Sequence, residues 1–301
     1  ARRDPGAALD PGCAYERDLR RYLDQRGLGP AVYAHIATSP DEPGVIALQY
    51  WFYFYFNDWN NKHESDWEGI QLLFRADSVE EALLTEPYSV GYAQHTGGER
   101  ADWDDEKLER DELRPVVYTS MRSHASYFTD AIYLGRGASE GFGCDDTTGP
   151  STRVDPDVVV LPDSVDDPDD PLAWLEFEGR WGERHQGAYD SPTGLLAKAR
   201  WHDPVAWHEQ LRDGSVIVPA GESGAAGVID AFCGVVKWGS GQALLVQISP
   251  LRVLLSVVLV VALARFTLGR TSWERVVPSP VVQRRRAGQL ARAALERFRA
   301  E

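Results

Sequence analysis

The chain has 301 residues and a formal net charge of −15, and 43% of its residues are hydrophobic. This length allows one large or two ordinary domains, and the composition is sufficient for a packed core. The acidic balance excludes proteins that hold nucleic acid through clustered Lys and Arg. Cations and basic partners remain compatible with it.

Two elements are predicted before the most informative stretch. Residues 1–13 are rich in Pro, Gly and Ala, and residues 15–26 place apolar side chains at helical spacing among charges. That spacing predicts a short amphipathic helix. Residues 31–37 alternate in polarity as a strand does. We therefore separate an N-terminal segment, 1–27, from the domain that follows.

The most informative stretch is 48–74. It opens with seven consecutive aromatic residues, 50–56, continues through a polar loop, 57–65, and resumes as an apolar segment. Aromatic residues suit packed, pleated surfaces, so we predict strand, loop and strand, the first strand being buried on both faces. Because side chains two apart share one face of a strand, Asp66 and Glu68 are expected to point together.

The remaining elements up to residue 240 are mostly short strands separated by turn signals. We predict strands at 88–95, 115–121, 158–161 and 174–181, helices at 77–84 and 201–210, and an exposed charged excursion at 96–114. Short strands at regular spacing are typical of an antiparallel sandwich. The predicted fold is therefore mainly β, an antiparallel β-sandwich with short helical excursions over residues 28–240.

The composition becomes strongly apolar at 243–264, where Arg252 is the single charge. A spanning helix needs about 20 apolar residues, and residues 250–268 reach that length if Arg252 and Arg265 extend to the interfaces. We predict a transmembrane helix within 243–268. The alternative is a buried strand or helix of the core, because strands also tolerate such runs.

A basic tail follows the apolar segment. Residues 265–301 contain nine Arg against three acidic residues. Positively charged flanks stay on the cytoplasmic side, so the acidic body is expected to be extracytoplasmic. Residues 269–301 are predicted to form a basic amphipathic tail, which either lies on anionic lipid or is a solvated helix.

The chain resembles the vacuolar protein sorting-associated protein 62 family at residues 48–68. That family has an aromatic strand, then Asn-Asp-Trp, then a His-Glu-Gly-Asp-Trp-Glu-like segment, here residues 63–68 with Ser65 in place of the Gly. The resemblance continues in order through 92–95, 117–118, 123–128, 179–183 and 191–194, and spans roughly 31–207. It implies a role in trafficking or envelope organisation as one alternative.

A more distant likeness is to the necrosis-inducing secreted cytolysins. The spacing of His63, Asp66 and Glu68 and a later serine–histidine pair, Ser123-His124, are similar to their motif. The resemblance implies a β-sandwich that binds a divalent cation through such residues and acts at membranes. The cytolysins' further acidic ligand upstream has no clear counterpart, and Asp58 is the nearest substitute.

The central stretch is also the predicted metal site. Two carboxylates on one face repel each other unless a cation or a proton lies between them. Mixed carboxylate and imidazole ligands suit Mn or Zn, whereas carboxylates with water suit Ca or Mg. The alternative is that the acids cap turns and the histidines make hydrogen bonds inside the aromatic core. The predicted metal ligands are Asp58, His63, Asp66, Glu68 and His124, and the predicted ligand-binding residues are Trp59, Glu64 and His95.

Other constellations give weaker predictions. A metal-bound water with Glu68 or Asp66 as base would make a hydrolase, but neither HExxH nor GxSxG is present, and we assign no catalytic residue. Cys13, Cys144 and Cys233 are either one disulfide with a free thiol or three thiols. A calcium site or solvated loops are the alternatives for a set of acids: Asp145, Asp146, Asp155, Asp157, Asp163, Asp166, Asp167, Asp169 and Asp170.

These observations predict a membrane-anchored, surface-facing module that recognises a ligand or a surface with the help of a divalent cation. The first alternative is a metal-dependent hydrolase of a phosphoester or a glycan. The second is a structural or trafficking protein without a small-molecule site. The expected partners are the membrane and a ligand or protein that the sequence does not identify, and not nucleic acid.

Overall fold

The computed structural model describes residues 13–39, 41–59, 61–95, 97–134, 143–184 and 190–219, with 227, 229, 231–236, 238–239, 254 and 258. The chain divides into two compact units, Ala1–Ser240 and Gly241–Glu301. All of the elements described below lie in the first unit. In the second unit only Leu254 and Val258 are described, and both are helical and exposed.

The first unit contains a few long strands, several strands of two to four residues, and short helices. In chain order they are α1 (Ala14–Arg26), β1 (Ala31–Thr38), β2 (Val45–Asn57), β3 (His63–Arg75), α2 (Val79–Ala82), β4 (Ser89–Gln94), β5 (Gly97–Asp102), β6 (Arg110–Asp111), β7 (Arg114–Pro115), β8 (Tyr118–Thr119), β9 (Ser126–Tyr127), β10 (Ala131–Leu134), β11 (Cys144–Asp146), β12 (Asp157–Val160), α3 (Ala199–His202), α4 (Pro204–Glu209) and β13 (Val216–Pro219). Two 3₁₀ helices, Ala173–Glu176 and Leu195–Ala197, precede α3.

A six-stranded sheet with the order β12-β1-β2-β3-β4-β5 forms the centre of the first unit. Its neighbouring strands are antiparallel except at one edge, where β12 runs parallel to β1. The prediction of a mainly β fold is confirmed, but the prediction of a purely antiparallel arrangement is wrong, because the sheet is mixed. Alternating polarity indicates which way side chains point and not the direction of the chain, so the sequence could not reveal this pairing.

Three smaller sheets accompany the central one. Strand β10 lies between β11 and β13, and β6–β7 and β8–β9 are two-stranded pairs. A disulfide joins Cys144 in β11 to Cys233, whereas Cys13 is free and exposed. This selects one disulfide with a free thiol from the alternatives that the sequence left open.

Both faces of the central sheet are covered. On one face Ile70 of β3 and Tyr92 of β4 pack with Phe128, whose ring stacks on Tyr92 at 4.0 Å between centroids. On the other face Trp51 and Trp67 pack under the segments that include the 3₁₀ helices and α3. The prediction that the aromatic strand β2 is central is therefore confirmed, but its burial on both faces is only partial, because five of the seven aromatic residues are half-buried and Tyr53 is exposed.

A ladder of buried polar side chains crosses the middle of the sheet. His35, Gln49 and Gln71 lie side by side on β1, β2 and β3, and each is at most 2% exposed. The Nδ1 atom of His35 is 3.1 Å from Oε1 of Gln49, and Nε2 of Gln49 donates to Oε1 of Gln71 at 2.9 Å. The ladder ends where Nε2 of Gln71 donates to the carbonyl of Pro204. Its polar groups are thus satisfied inside the core.

Several predicted elements differ in the structure. The segment 96–114 was predicted to be exposed, but it contains β5, with Trp103 and Leu108 buried. The strand predicted at 174–181 is replaced by the 3₁₀ helix Ala173–Glu176, which begins after an aspartate-rich turn. The strand predicted at 115–121 is reduced to Pro115, which ends β7, and the two residues of β8. In each case tertiary packing decides the conformation over the local pattern.

The predicted transmembrane segment lies almost wholly outside the described residues, since only two of residues 243–268 are described. Among the residues that are described, no helix is long and apolar enough to cross a membrane. The basic tail, 269–301, is likewise outside the described part of the chain.

Candidate functional site

The site begins with the register of β2 and β3. Asp66 lies opposite Phe54, and Glu68 lies opposite Phe52. The two carboxylates are two residues apart in β3, so they share the face on which those phenylalanines lie. Both are buried, with 9% of Asp66 and 3% of Glu68 exposed. The predicted pairing of Asp66 with Glu68 is therefore present.

Three residues around these carboxylates have an unusual backbone conformation. Ser65, His95 and His124 have φ values of 61°, 61° and 64°. Side chains other than glycine rarely adopt this left-handed region, and such residues persist only where the surrounding structure holds them. Their clustering next to Asp66 and Glu68 marks this part of the fold as a candidate site.

Asp66 is held by three donors, one of which is the side-chain amide of Asn57, 3.4 Å from Oδ2 of Asp66. Its Oδ1 accepts the main-chain N–H of Trp67 at 2.9 Å, and its Oδ2 lies 3.3 Å from Nδ1 of His124. The imidazole of His124 stacks on Phe54 with 4.1 Å between centroids. Burial by itself raises the pKa of Asp66, but the hydrogen bond from His124 and the neighbouring histidine charges outweigh it and lower the pKa. Asp66 is therefore an anion in this site.

Glu68 is only half satisfied. Its Oε1 accepts the main-chain N–H of His95 at 3.2 Å, while its buried Oε2 has no hydrogen-bond partner among the described residues. Burial first, and the charge of Asp66 second, raise the pKa of Glu68 to about 7. A buried carboxyl oxygen without a partner is costly, so Oε2, which has none among the described residues, calls for a ligand.

Two basic residues act on Glu68 from the segment before Trp201. Arg200 and Lys198 are half-buried, and their charges partly oppose the rise in the pKa of Glu68. The guanidinium of Arg200 lies 3.8 Å from the ring centroid of Trp51, on the opposite face of the sheet from Glu68. Burial lowers the pKa of Arg200 to about 10. Sequence reasoning missed both residues, since no spacing relates them to Glu68.

His63 is fully engaged in local hydrogen bonds. Its Nδ1 is 2.7 Å from the carbonyl of Ser65, which can only accept, so Nδ1 carries the proton. Its Nε2 therefore accepts from the side-chain amide of Asn57, at 3.2 Å. That amide also lies 3.4 Å from Oδ2 of Asp66. His63 thus orders the start of β3, and ligation of a metal would require breaking one of these bonds.

The loop between β2 and β3 holds two further predicted residues. Asp58 pairs with Lys62 at 3.2 Å, and 40% of its side chain is exposed. Trp59 is half-buried, its main-chain N–H donates to Oδ1 of Asn57, and its indole N–H has no partner in the described part of the chain. Asp58 is therefore a surface ion pair and Trp59 a flank of the cluster.

Glu64, predicted to bind ligand, connects three parts of the fold. Its Oε1 accepts the hydroxyl of Tyr15 in α1 at 2.7 Å, and its Oε2 accepts the main-chain N–H of Glu183 at 2.8 Å. The ring of Tyr15 also stacks on Phe56 with 4.0 Å between centroids. Both carboxylate oxygens of Glu64 are thus occupied by contacts that fix α1 and the loop at Glu183.

Asp145 is a central residue of the cluster, and the sequence offered it only as one of many acids. It is 3% exposed. Burial raises its pKa, but its hydrogen bonds and the charge of His95 hold that pKa well below its usual range. The donors are the hydroxyls of Ser120 and Ser123 to Oδ1, at 3.3 and 2.6 Å, and the hydroxyl of Tyr127 and Nε2 of His95 to Oδ2, at 2.6 and 3.1 Å.

The predicted metal ligands are brought together only in part. Asp66, Glu68 and His124 share one cluster, His63 lies beside it, and Asp58 pairs with Lys62 instead. Within the described ranges, no group of three or more His, Cys, Asp or Glu side chains is arranged to hold a metal ion. A cation beside Asp66 and Glu68 would have these two carboxylates from the described residues and would need other oxygens.

The acidic run after β12 serves the turns it lies in. Oδ1 of Asp167 accepts the main-chain N–H of Asp169, and Oδ1 of Asp170 accepts that of Leu172. Asp163 pairs with His35 at 2.9 Å. These contacts agree with the solvated-loop alternative to a calcium site.

The fold and the cluster define a β-rich module with two same-face carboxylates among imidazoles. Residues 59–198 match the family model Vps62, Vacuolar protein sorting-associated protein 62. The family resemblance drawn from the sequence is therefore confirmed for this part of the chain. No protein among the curated sequences matches the chain.

Solved structures of necrosis-inducing proteins are similar to the chain at low identity. The non-toxic HaNLP3 protein has 13% identity and a TM-score of 0.30, over 61% of this chain and 68% of that one. A mutant of NLPPya has 22% identity and a TM-score of 0.27, and the match covers 33% of this chain and 44% of that one. Necrosis and Ethylene inducing Protein 2, from the causal agent of cocoa's Witches Broom disease, has 15% identity and a TM-score of 0.27, and the match covers 43% of this chain and 50% of that one.

The chain spans about half the length of most of these solved structures. They agree with the distant likeness read from the motif. At these TM-scores they support no argument about function.

Proposed function

We propose that this chain is a recognition module that binds its ligand through a divalent cation held by Asp66 and Glu68. The observation that carries the proposal is Oε2 of Glu68, which is buried beside a second carboxylate and has no partner among the described residues. A cation at this position would complete the coordination of Oε2 and would offset the repulsion between the two acids.

The donor set favours a hard cation that shares its ligands. Two carboxylates, with water and ligand oxygens in the remaining positions, suit Mg²⁺, with Ca²⁺ and Mn²⁺ as close substitutes. Zn²⁺ is less suited, because both ring nitrogens of His63 are engaged and Nδ1 of His124 is directed at Asp66. The open positions of such a cation are where the oxygens of a ligand would bind.

Manganese binding at pH 8 tests the proposal, because Glu68 is then ionised. Titration of the full chain, followed by the loss of free Mn²⁺ electron paramagnetic resonance signal, should show one site. Glu68→Gln and Asp66→Asn should each weaken binding at least about tenfold. Asp166→Asn removes the same charge from an exposed position and should leave the affinity unchanged. Equal binding by all four proteins would refute the site.

A hydrolase is the second candidate, and one observation favours it. A carboxyl whose pKa is about 7 is matched to general-base work near neutral pH. Turnover of p-nitrophenyl phosphate or acetate that requires Mn²⁺ and disappears in Glu68→Gln would support it. Mn²⁺ binding without such turnover would exclude the hydrolase and support the recognition module. Absence of both would favour the structural or trafficking alternative.

We also propose that residues 243–268 anchor the module in a membrane, with the acidic body extracytoplasmic and the basic tail cytoplasmic. The support is the apolar composition of this segment and the nine Arg of residues 265–301. The full chain should require detergent, and a chain ending at residue 240 should not. Equal behaviour of the two without detergent would contradict the anchor.

A further inference from the structure

We propose that Asp145 is the residue that positions the Glu68 carboxylate, and that it acts through His95. Asp145 holds the imidazole of His95, and the main chain of His95 holds Oε1 of Glu68. The three residues thus form a chain of hydrogen bonds, and Oε2 of Glu68 has no partner within the described part of the chain. The consequence for cation affinity rests on the proposed function, whereas the positioning itself does not.

His95 can transmit this restraint because of its backbone. Its φ of 61°, which most residues avoid, sets the position of its imidazole relative to the main-chain N–H that Glu68 accepts. The bond from its Nε2 to Asp145 is a contact that opposes relaxation to an ordinary conformation. Releasing the imidazole should therefore free the main-chain N–H as well, and with it the fixed orientation of Glu68.

Asp145 is suited to this role because it cannot swing away. Ser123 and Ser120 hold one of its oxygens and Tyr127 holds the other together with His95. Its neighbour Cys144 is joined to Cys233. Strand β11 has only three residues and pairs with β10 on one side, so the disulfide is a second restraint on the position of Asp145.

Amide hydrogen exchange in the metal-free protein tests the positioning directly. Asp145→Ala removes both carboxylate oxygens, so Nε2 of His95 loses its acceptor. The amide of His95 should then exchange at least about tenfold faster, while that of Tyr92, deeper in β4, should be unchanged. Mn²⁺ affinity should fall by about 10- to 100-fold, as is typical when groups behind metal ligands are changed.

Thr147→Val is the matched control. The hydroxyl of Thr147 is buried next to β11 and binds the main chain of Ala131 and Thr129, so its loss disturbs the same region without touching His95. This variant should leave both the His95 amide and the Mn²⁺ affinity unchanged. If Asp145→Ala does not fold, the paired change Cys144→Ser/Cys233→Ser decides, and should move the His95 amide in the same direction.

Two results would separate the inferences. A folded Asp145→Ala or cysteine-pair variant whose His95 amide is as protected as in the parent overturns the positioning role. A parent protein that binds no Mn²⁺ overturns the proposed function instead, and the exchange measurement still decides whether Asp145 positions Glu68.

Discussion

The hydroxyl groups of Tyr53 and Ser65 lie 2.8 Å apart on neighbouring strands, although Ser65 has a backbone φ of 61°. This is the position at which the family pattern has glycine. Glycine adopts positive φ at no steric cost, whereas other residues lose about 1 kcal/mol or more. The hydrogen bond to Tyr53 offsets part of that cost, which explains how serine is accommodated here.

Substitutions of Ser65 should separate the two effects. Ser65→Ala keeps the backbone strain and loses the hydrogen bond, so we expect a loss of about 1 kcal/mol in the free energy of unfolding. Ser65→Gly loses the same bond but relieves the strain, and should be more stable than Ser65→Ala by about 1 kcal/mol. Urea denaturation measures both, and Tyr53→Phe gives the value of the bond alone. A Ser65→Gly protein no more stable than Ser65→Ala would show that the position is unstrained.

Glu68 should make stability fall as the pH rises. Its folded-state pKa, about 7, lies above its ordinary value of 4.5, so the folded protein binds more protons than the unfolded chain between pH 4.5 and 7. Stability from the protonated form is present below pH 4.5 and is lost through pH 7. In metal-free protein Glu68→Gln, whose remaining carbonyl can still accept from His95, should be more stable than the parent at pH 8 by up to about 3 kcal/mol.

The test is denaturant unfolding at pH 4.5 and pH 8 with a chelator present. The difference between the two proteins should vanish at the lower pH. A constant difference at both values would mean that Glu68 does not titrate in this range.

His208 should have the opposite dependence on pH. It is 5% exposed, and burial, followed by the charge of Arg100, lowers its pKa from 6.5 to about 4. The folded state therefore binds fewer protons than the unfolded chain between pH 4 and 6.5. Its contribution is present above pH 6.5 and is lost as the pH falls to 4, at a cost of about 3 kcal/mol.

His208→Gln keeps a donor for the hydroxyl of Ser89, which is 2.9 Å from Nε2 of His208 in the parent. Its stability should therefore decline less than that of the parent between pH 6.5 and 4. Thermal unfolding across this range measures the two slopes. Parallel slopes would exclude His208 as a source of acid sensitivity.

Substitution of Glu64 shows whether this residue connects parts of the fold or binds a ligand. Glu64→Ala removes the acceptor for Tyr15 and for the main chain of Glu183, so it should destabilise the fold by about 1–3 kcal/mol. Tyr15→Phe removes one of the two bonds and should cost less. Mn²⁺ affinity at pH 8 should stay within about twofold in both. A tenfold loss in Glu64→Ala alone would restore the sequence-based prediction that Glu64 binds ligand.

The core of the candidate site follows from local rules, and its surroundings do not. Residues two apart in a strand share a face, and this rule is sufficient to place Asp66 beside Glu68. Asp145 reaches His95 across 50 positions of sequence and Tyr127 across 18, and no periodicity relates them. Its role could be read only from the fold.

The parts of the fold that the sequence did not predict also depend on contacts between distant segments. The central position of the aromatic strand β2 was predictable, because seven successive aromatic residues without charge favour a strand with neighbours on both sides. The parallel edge at β12 and the 3₁₀ helix at Ala173–Glu176 depend on which segments meet after a crossover. In Ala173–Glu176 only Leu175 is fully buried, so the alternation that suggested a strand carried no information about packing.

The polar ladder across β1, β2 and β3 fixes the register of these strands. A slip of one residue in any of these strands would turn His35, Gln49 or Gln71 towards the opposite, apolar face, so misaligned sheets are strongly disfavoured. Replacing Gln49 and Gln71 with leucine should thus widen the set of strand alignments even where it does not lower stability. Asp66 and Glu68 lie on β3 together with Gln71, so their position depends on a register that is fixed by side chains outside the candidate site.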